Sequence, residues 1–171
     1  MATNRIDEID TNVFTVSSRI NSTWGGNLVD MVRAKRFLEI IEEERLVENA
    51  ASVGRYLLDH LEALQKSFPS LINNVRGKGN TTHPLHPFHT QAHLSVPPIG
   101  LLCAFEAATP DLCNEIKSLC LDKGVFLISC GTQTIRFRPF LDVKKEYIDI
   151  AINALKHALT TINNKSKKAA L

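Results

Sequence analysis

From Leu46 onward, apolar residues recur at intervals of three and four without a miss: Leu46, Ala50, Val53, Leu57, Leu61, Leu64 and Phe68. At 3.6 residues per turn this spacing draws one continuous stripe along a helix, so the chain must place a second apolar surface against it. An earlier set, Leu28, Met31, Val32, Phe37, Leu38 and Ile41, predicts another helical face. The phase slips at Glu43 to Arg45, within and just after the acidic run Glu42 to Glu44, which predicts two consecutive helices in place of one.

Downstream the period changes. Leu71 to Arg76 is a short apolar run ending at Gly77 and Gly79, and Leu101 to Phe105 is a second strand candidate. Thr109-Pro110-Asp111 supplies an N-cap hydroxyl with proline at the first helical position, and Leu112, Ile116 and Leu119 continue as a buried stripe until Gly124. Val125 to Ser129 and Thr134 to Arg138 are β-rich runs around Cys130-Gly131-Thr132-Gln133, a hairpin signal. Asp142 is placed to cap a last helix whose stripe is Ile148, Ile152, Leu155 and Leu159. Residues 1–22 show little periodicity beyond a brief extended piece at Val13, Phe14 and Val16. The order helix, helix, strand, strand, helix, strand, strand, helix predicts an α+β fold: a small, mostly antiparallel sheet covered by helices and preceded by long helices. Residues 1–26 form a lead-in, 27–68 the helices, 69–162 a small α+β domain, and 163–171, with Lys165, Lys167 and Lys168, a frayed end.

Composition narrows the partners. A chain of 171 residues with 44% hydrophobic and 22% charged residues suits one ordinary core. Twenty Lys and Arg against eighteen Asp and Glu leave a net charge of +2, short of the basic stripe of a nucleic-acid binder. No stretch approaches the ~18 apolar residues of a membrane span. Met1 to Asp10 lacks the apolar segment of a secretory signal. A cytoplasmic chain is expected, or a mitochondrial one if a transit peptide precedes it in a longer protein. Cys103, Cys113, Cys120 and Cys130 form no C-x-x-C pair, which predicts reduced, mostly buried thiols instead of a zinc or redox site.

Residues 80–100 stand apart. They contain no Asp, Glu, Lys or Arg, where about four or five would be expected, and they hold four of the six histidines and four of the seven prolines. His83, His86, His89 and His93 have the spacing of metal ligands on a helix, but Pro84 and Pro87 break that scaffold, so no metal site is expected. Gly79-Asn80 can be read from GGT-AAC and Ile99-Gly100 from ATA-GGA, which places GT and AG at the two ends of the segment. The His, Pro, Leu and Phe codons between them are pyrimidine-rich, as in a retained intron. A loop of this size adds little closure entropy, so the fold can carry it.

Two stretches carry chemistry. In Asn21-Ser22-Thr23-Trp24-Gly25-Gly26-Asn27, two hydroxyls stand ahead of two glycines that open a helix. Such a junction either caps the helix or offers hydroxyls, backbone N–H groups and the helix dipole to an anion such as a phosphate. In Thr134-Ile135-Arg136-Phe137-Arg138-Pro139, strand alternation puts both arginines on one face and Ile135 and Phe137 on the other. The arginines are either plain surface cations or forks for a carboxylate.

Taken together, these motifs resemble the C-terminal part of class III pyridoxal-phosphate aminotransferases, which have the fold-type I architecture. The likeness runs through Arg19 to Asn27, Ile41-Glu42-Glu43-Glu44 to Ala50, Val75-Arg76-Gly77-Lys78-Gly79 rejoining Leu101-Leu102-Cys103-Ala104-Phe105, and Ile135 to Pro139. Within the class it is most similar to the L-lysine 6-aminotransferases, with the 4-aminobutyrate aminotransferases as nearest rival. The family's continuous pattern has no equivalent of residues 80–100. The resemblance implies that Ser22 and Thr23 contact the phosphate of pyridoxal 5′-phosphate across a homodimer interface. It also implies that Arg136 binds a carboxylate of 2-oxoglutarate, with L-lysine as amino donor, and that Arg138 is structural. No catalytic residue is implied here: the family's Schiff-base lysine, the Asp at the pyridine nitrogen and the Glu that gates the arginine belong to motifs that none of the eleven lysines or the acidic residues matches. The chain alone is expected to be inactive, or, on a rival reading, a non-enzymatic dimerising module or His-rich metal binder.

Overall fold

The computed structural model describes residues 4–6, 8–15, 23–77 and 100–169, in two compact units, Met1–Glu43 and Glu44–Leu171. Residues 80–99 of the insert, with its four histidines, and Val16 and Ser22 lie outside the described residues.

In the first unit a 3₁₀ turn (Asn4–Ile6) is followed by turns organised by the buried Asn12. Its Nδ2 donates to the carbonyls of Ile6 (3.1 Å) and Ile9 (2.9 Å), and its Oδ1 accepts from the Phe14 N–H (2.9 Å). This side-chain bonding competes with an extended backbone, so Val13 and Phe14 lie in a turn, contrary to the expected extended piece. Helix α1 (Leu28–Glu43) follows, with no buried residue. Its polar side is tied by Arg36, which bonds Glu39 and Glu43 at 3.2 Å each.

The second unit contains α2 (Leu46–Ser67), β1 (Ile72–Gly77), β2 (Cys103–Ala107), α3 (Pro110–Asp122), β3 (Ile128–Cys130), β4 (Thr134–Phe137) and α4 (Lys145–Ala169). The break expected from the phase slip falls at Arg45, which adopts left-handed φ of 52°. The α2 stripe buries Ala50, Val53, Leu57, Leu61 and Leu64, while Leu46 and Phe68 are half-buried. The sheet order is β1-β2-β4-β3 with every neighbouring pair antiparallel. One face, carrying Cys103, Phe105, Ala107, Ile135 and Phe137, is buried, with α2 and α3 against the strands and α4 packed on those two helices. The other face carries no helix of this unit among the described residues.

Four boundaries differ from expectation. Strand β3 starts at Ile128 because the Val125 N–H closes the end of α3 on the Cys120 carbonyl (2.9 Å), with Gly124 at φ +77° bonding Leu121 (2.8 Å). Helix α4 starts at Lys145, so Asp142 does not cap it. The preceding turn is held instead by Asn49 of α2, whose Nδ2 donates to the carbonyls of Leu141 (2.7 Å) and Val143 (3.1 Å). Residues 163–169, expected as a frayed end, continue α4, and Lys165 meets Glu115 of α3 at 2.7 Å. Strand β2 runs two residues further than expected, to Ala107, which keeps the buried alternation Cys103, Phe105, Ala107.

The predicted cap of α3 is present: the Thr109 hydroxyl accepts from the Leu112 N–H at 3.2 Å. Thr109→Ala should lower stability by about 1 kcal/mol, read as a shift in urea midpoint at constant slope. Among the described residues no helix is long and apolar enough to cross a membrane.

Candidate functional site

The helix-free face of the sheet brings Arg76 and Arg136 beside open space. Register places Arg76 of β1 opposite Ala104 of β2, Ala104 opposite Arg136 of β4, and Arg136 opposite Ile128 of β3. Paired residues in antiparallel strands share a face, so these four form one row. With only a methyl group between them, the two arginines flank a cleft of about 420 Å³ that Leu102, Thr134 and Cys130 also line.

The two guanidinium groups differ in state. Arg76 is paired with Glu106 at 3.2 Å and also donates to the Asn74 carbonyl at 3.0 Å. Asn74 in turn donates from its Nδ2 to the same Glu106 oxygen at 2.9 Å. It can do so because it sits in a bulge of β1 at φ +49°, a left-handed conformation that asparagine tolerates. Arg136 has no such partner: its Nε is buried and makes no hydrogen bond among the described residues. A buried donor left unpaired costs about 1 to 3 kcal/mol, so the position favours an incoming acceptor. Strand β4 behaves as its alternation predicts: Ile135 and Phe137 are buried, Arg136 is half-buried and Arg138 is exposed.

Arg136 and Arg138 also border a second cleft of about 460 Å³, whose walls include Phe126, Phe140 and Tyr147. No sequence signal marked this cleft, because its aromatic residues come from separate connections and α4. Arg76 stood in a motif quoted for its family likeness, but its ion pair with Glu106 depends on a bulge that spacing does not reveal.

Thr23 lies in the first unit, in an exposed turn before Gly26 (φ +77°) and α1. It does not cap that helix, because the α1 cap is Asn27, whose Oδ1 accepts from the Val29 N–H at 3.0 Å. Arg136 belongs to the second unit.

Of the four cysteines, Cys103, Cys113 and Cys120 are buried, and Cys130 is exposed on the β3–β4 hairpin. Burial pushes the thiols of Cys103 and Cys120 up to about 11. A thiol whose folded pKa is raised contributes stability that is complete below its unfolded pKa and is lost as pH rises through the folded one. Stability should therefore decline between about pH 9 and 11, with a shallower decline in Cys103→Ala, Cys120→Ala. Urea unfolding at pH 8 and pH 10.5 measures it. Only one thiol per chain, Cys130, should react rapidly with a disulfide reagent before unfolding.

Comparison with known proteins agrees with these motifs. The sequence matches the aminotransferase class-III family over residues 2–159. It is 40% identical over 162 residues to the L-lysine-epsilon aminotransferase of Mycobacterium tuberculosis, covering 95% of this chain and 31% of that protein. With the enzyme of the same name from Streptomyces clavuligerus it shares 38% over 163 residues, again 95% of this chain and 31% of the other. The mitochondrial 4-aminobutyrate aminotransferase of Sus scrofa is more distant, at 30% over 141 residues, covering 82% of this chain and 24% of its own. The solved lysine aminotransferase from M. tuberculosis superposes with a TM-score of 0.74 at 40% identity, covering 95% of this chain and 32% of that one. The chain thus spans about a third of the length of these lysine aminotransferases. With a family match over nearly all its residues and the same α+β fold, the chain belongs to the class-III aminotransferases.

Proposed function

We propose that this chain is the small-domain part of a pyridoxal-phosphate-dependent aminotransferase that moves the ε-amino group of L-lysine to 2-oxoglutarate, giving the 6-semialdehyde and glutamate. The observation that carries the reading is Arg136, a half-buried guanidinium with an unpaired buried Nε beside an open cleft. Arginine is suited to fork a carboxylate through two parallel hydrogen bonds. L-lysine is favoured as donor over 4-aminobutyrate by relatives at 37–40% identity against 29–30%.

Pyridoxal 5′-phosphate, when bound, supplies the electron sink that amino transfer requires. The residues present fit its phosphate: Thr23, and Ser22 in the same motif, offer hydroxyls ahead of a glycine turn and a helix N-terminus, where an anion is stabilised. In this reading they reach the cofactor of a second subunit in a homodimer, while Arg136 orients the acceptor's carboxylate. The chain supplies one wall of a site, and the Schiff-base lysine comes from the large domain.

Replacing the corresponding third of the M. tuberculosis lysine aminotransferase by this chain tests the proposal. Glutamate formation from L-lysine and 2-oxoglutarate is expected. Turnover with 4-aminobutyrate in place of L-lysine would move the assignment to the rival branch, and cofactor loading without turnover of either donor would overturn it.

A further inference from the structure

We propose that Glu106 sets how many carboxylates the open sheet face accepts: by holding Arg76, it leaves Arg136 as the single guanidinium for an incoming acid. This rests on the reading of Arg136 as a carboxylate grip.

Arg76 and Arg136 occupy one row on either side of Ala104 and line the same cleft. Neighbouring strands lie ~4.8 Å apart, so the two backbone positions are roughly 10 Å apart, and two long side chains leaning over a methyl floor can bracket a five-carbon diacid. Two unoccupied guanidiniums in this arrangement would form a two-pronged dicarboxylate site. Glu106 prevents that. Its Oε1 accepts from Arg76 (3.2 Å) and from Asn74 (2.9 Å), and its side chain is 27% exposed, less than the 44% of Arg76. The pair is therefore partly shielded from water and firmer than an open surface bridge.

The choice of partner is specific. Glu106 stands opposite Thr134 on β4, two residues from Arg136, and so is a diagonal neighbour of both arginines, yet it pairs with Arg76 alone. The bulge at Asn74 adds the second bond that fixes this choice. A single free grip treats a monocarboxylate and a dicarboxylate alike. A second grip would bind diacids such as 2-oxoglutarate and glutamate across the face and slow their release.

Calorimetric titration of the chain with pentanoate and glutarate at low ionic strength tests this without cofactor or turnover. Wild type should bind the two with affinities within about threefold, given that glutarate offers two equivalent ends. Glu106→Gln, which keeps the side-chain shape, should raise the glutarate preference about tenfold as Arg76 gains access to a charge-assisted bond. Adding Arg76→Gln should abolish that gain. Arg76→Gln alone should lower both affinities together, because it frees Glu106 to turn to its other diagonal neighbour, Arg136, and this keeps the test decisive if Glu106→Gln folds poorly. An unaltered preference in folded Glu106→Gln, or a loss in Arg76→Gln confined to glutarate, overturns the role of Glu106 with the Arg136 reading intact. Pentanoate binding that survives Arg136→Gln at full strength overturns both.

Discussion

Phe105→Ala should lower the stability of the second unit by about 3 to 5 kcal/mol, the largest effect expected of any single core replacement here. Phe105 lies on β2, an inner strand of the sheet, and is 0% exposed. Its ring centroid is 6.3 Å from that of Phe137 on β4, at a tilted 39°, a favourable aromatic geometry that alanine would also remove. Strand β2 packs against α2 and α3, regular elements that cannot collapse far into the space left behind. Because a domain has a margin of only roughly 5 to 15 kcal/mol, the loss would consume much of it. Urea unfolding followed by circular dichroism measures the change. The control is Phe126→Ala: that ring is 76% exposed, and a change within about 0.5 kcal/mol is expected. Equal effects from the two would show that the sheet is not seated under the helices as described.

The second large effect concerns the site. On the proposed role, Arg136→Ala in the assembled aminotransferase should reduce kcat/KM for 2-oxoglutarate about a hundredfold, the loss of two charge-assisted hydrogen bonds of about 1.5 kcal/mol each. Cofactor content should stay unchanged, because the proposed phosphate grip sits in a different motif. Arg136→Lys should recover only part of the loss, as an ammonium cannot fork. Arg138→Ala is expected to change kcat/KM much less, its side chain being exposed at the rim of the second cleft. Single-turnover kinetics with each substrate separates the half-reactions. A loss shared equally by the L-lysine and 2-oxoglutarate halves would contradict acceptor binding by Arg136.

Much of this arrangement was legible in the sequence because it depends on period. The three-and-four spacing from Leu46 and the Thr109-Pro110 start announce α2 and α3, and the alternation in Thr134 to Arg138 sorts core from open face. What escaped depends on tertiary hydrogen bonds. Asp142 is a good cap by type, but Asn49, distant in sequence, shapes the turn that delays α4. Val125 is a good strand residue whose N–H is already engaged in closing α3. For the site, the patterns marked Ser22 with Thr23 and the pair Arg136 and Arg138, and the family likeness chose Arg136, but neither could tell that Arg76 on the same face is already neutralised. That difference arises from an irregularity at Asn74 that period-two reasoning passes over.

The two outer strands of the sheet carry one further consequence. At one margin β1 is interrupted by its bulge, and at the other β3 is only three residues long. A bulged or very short margin gives an incoming strand few consecutive N–H and carbonyl groups to register against. Even with Phe126 and Ile128 exposed nearby, the described sheet is a poor template for edgewise polymerisation, and association of this unit is directed to side-chain surfaces instead.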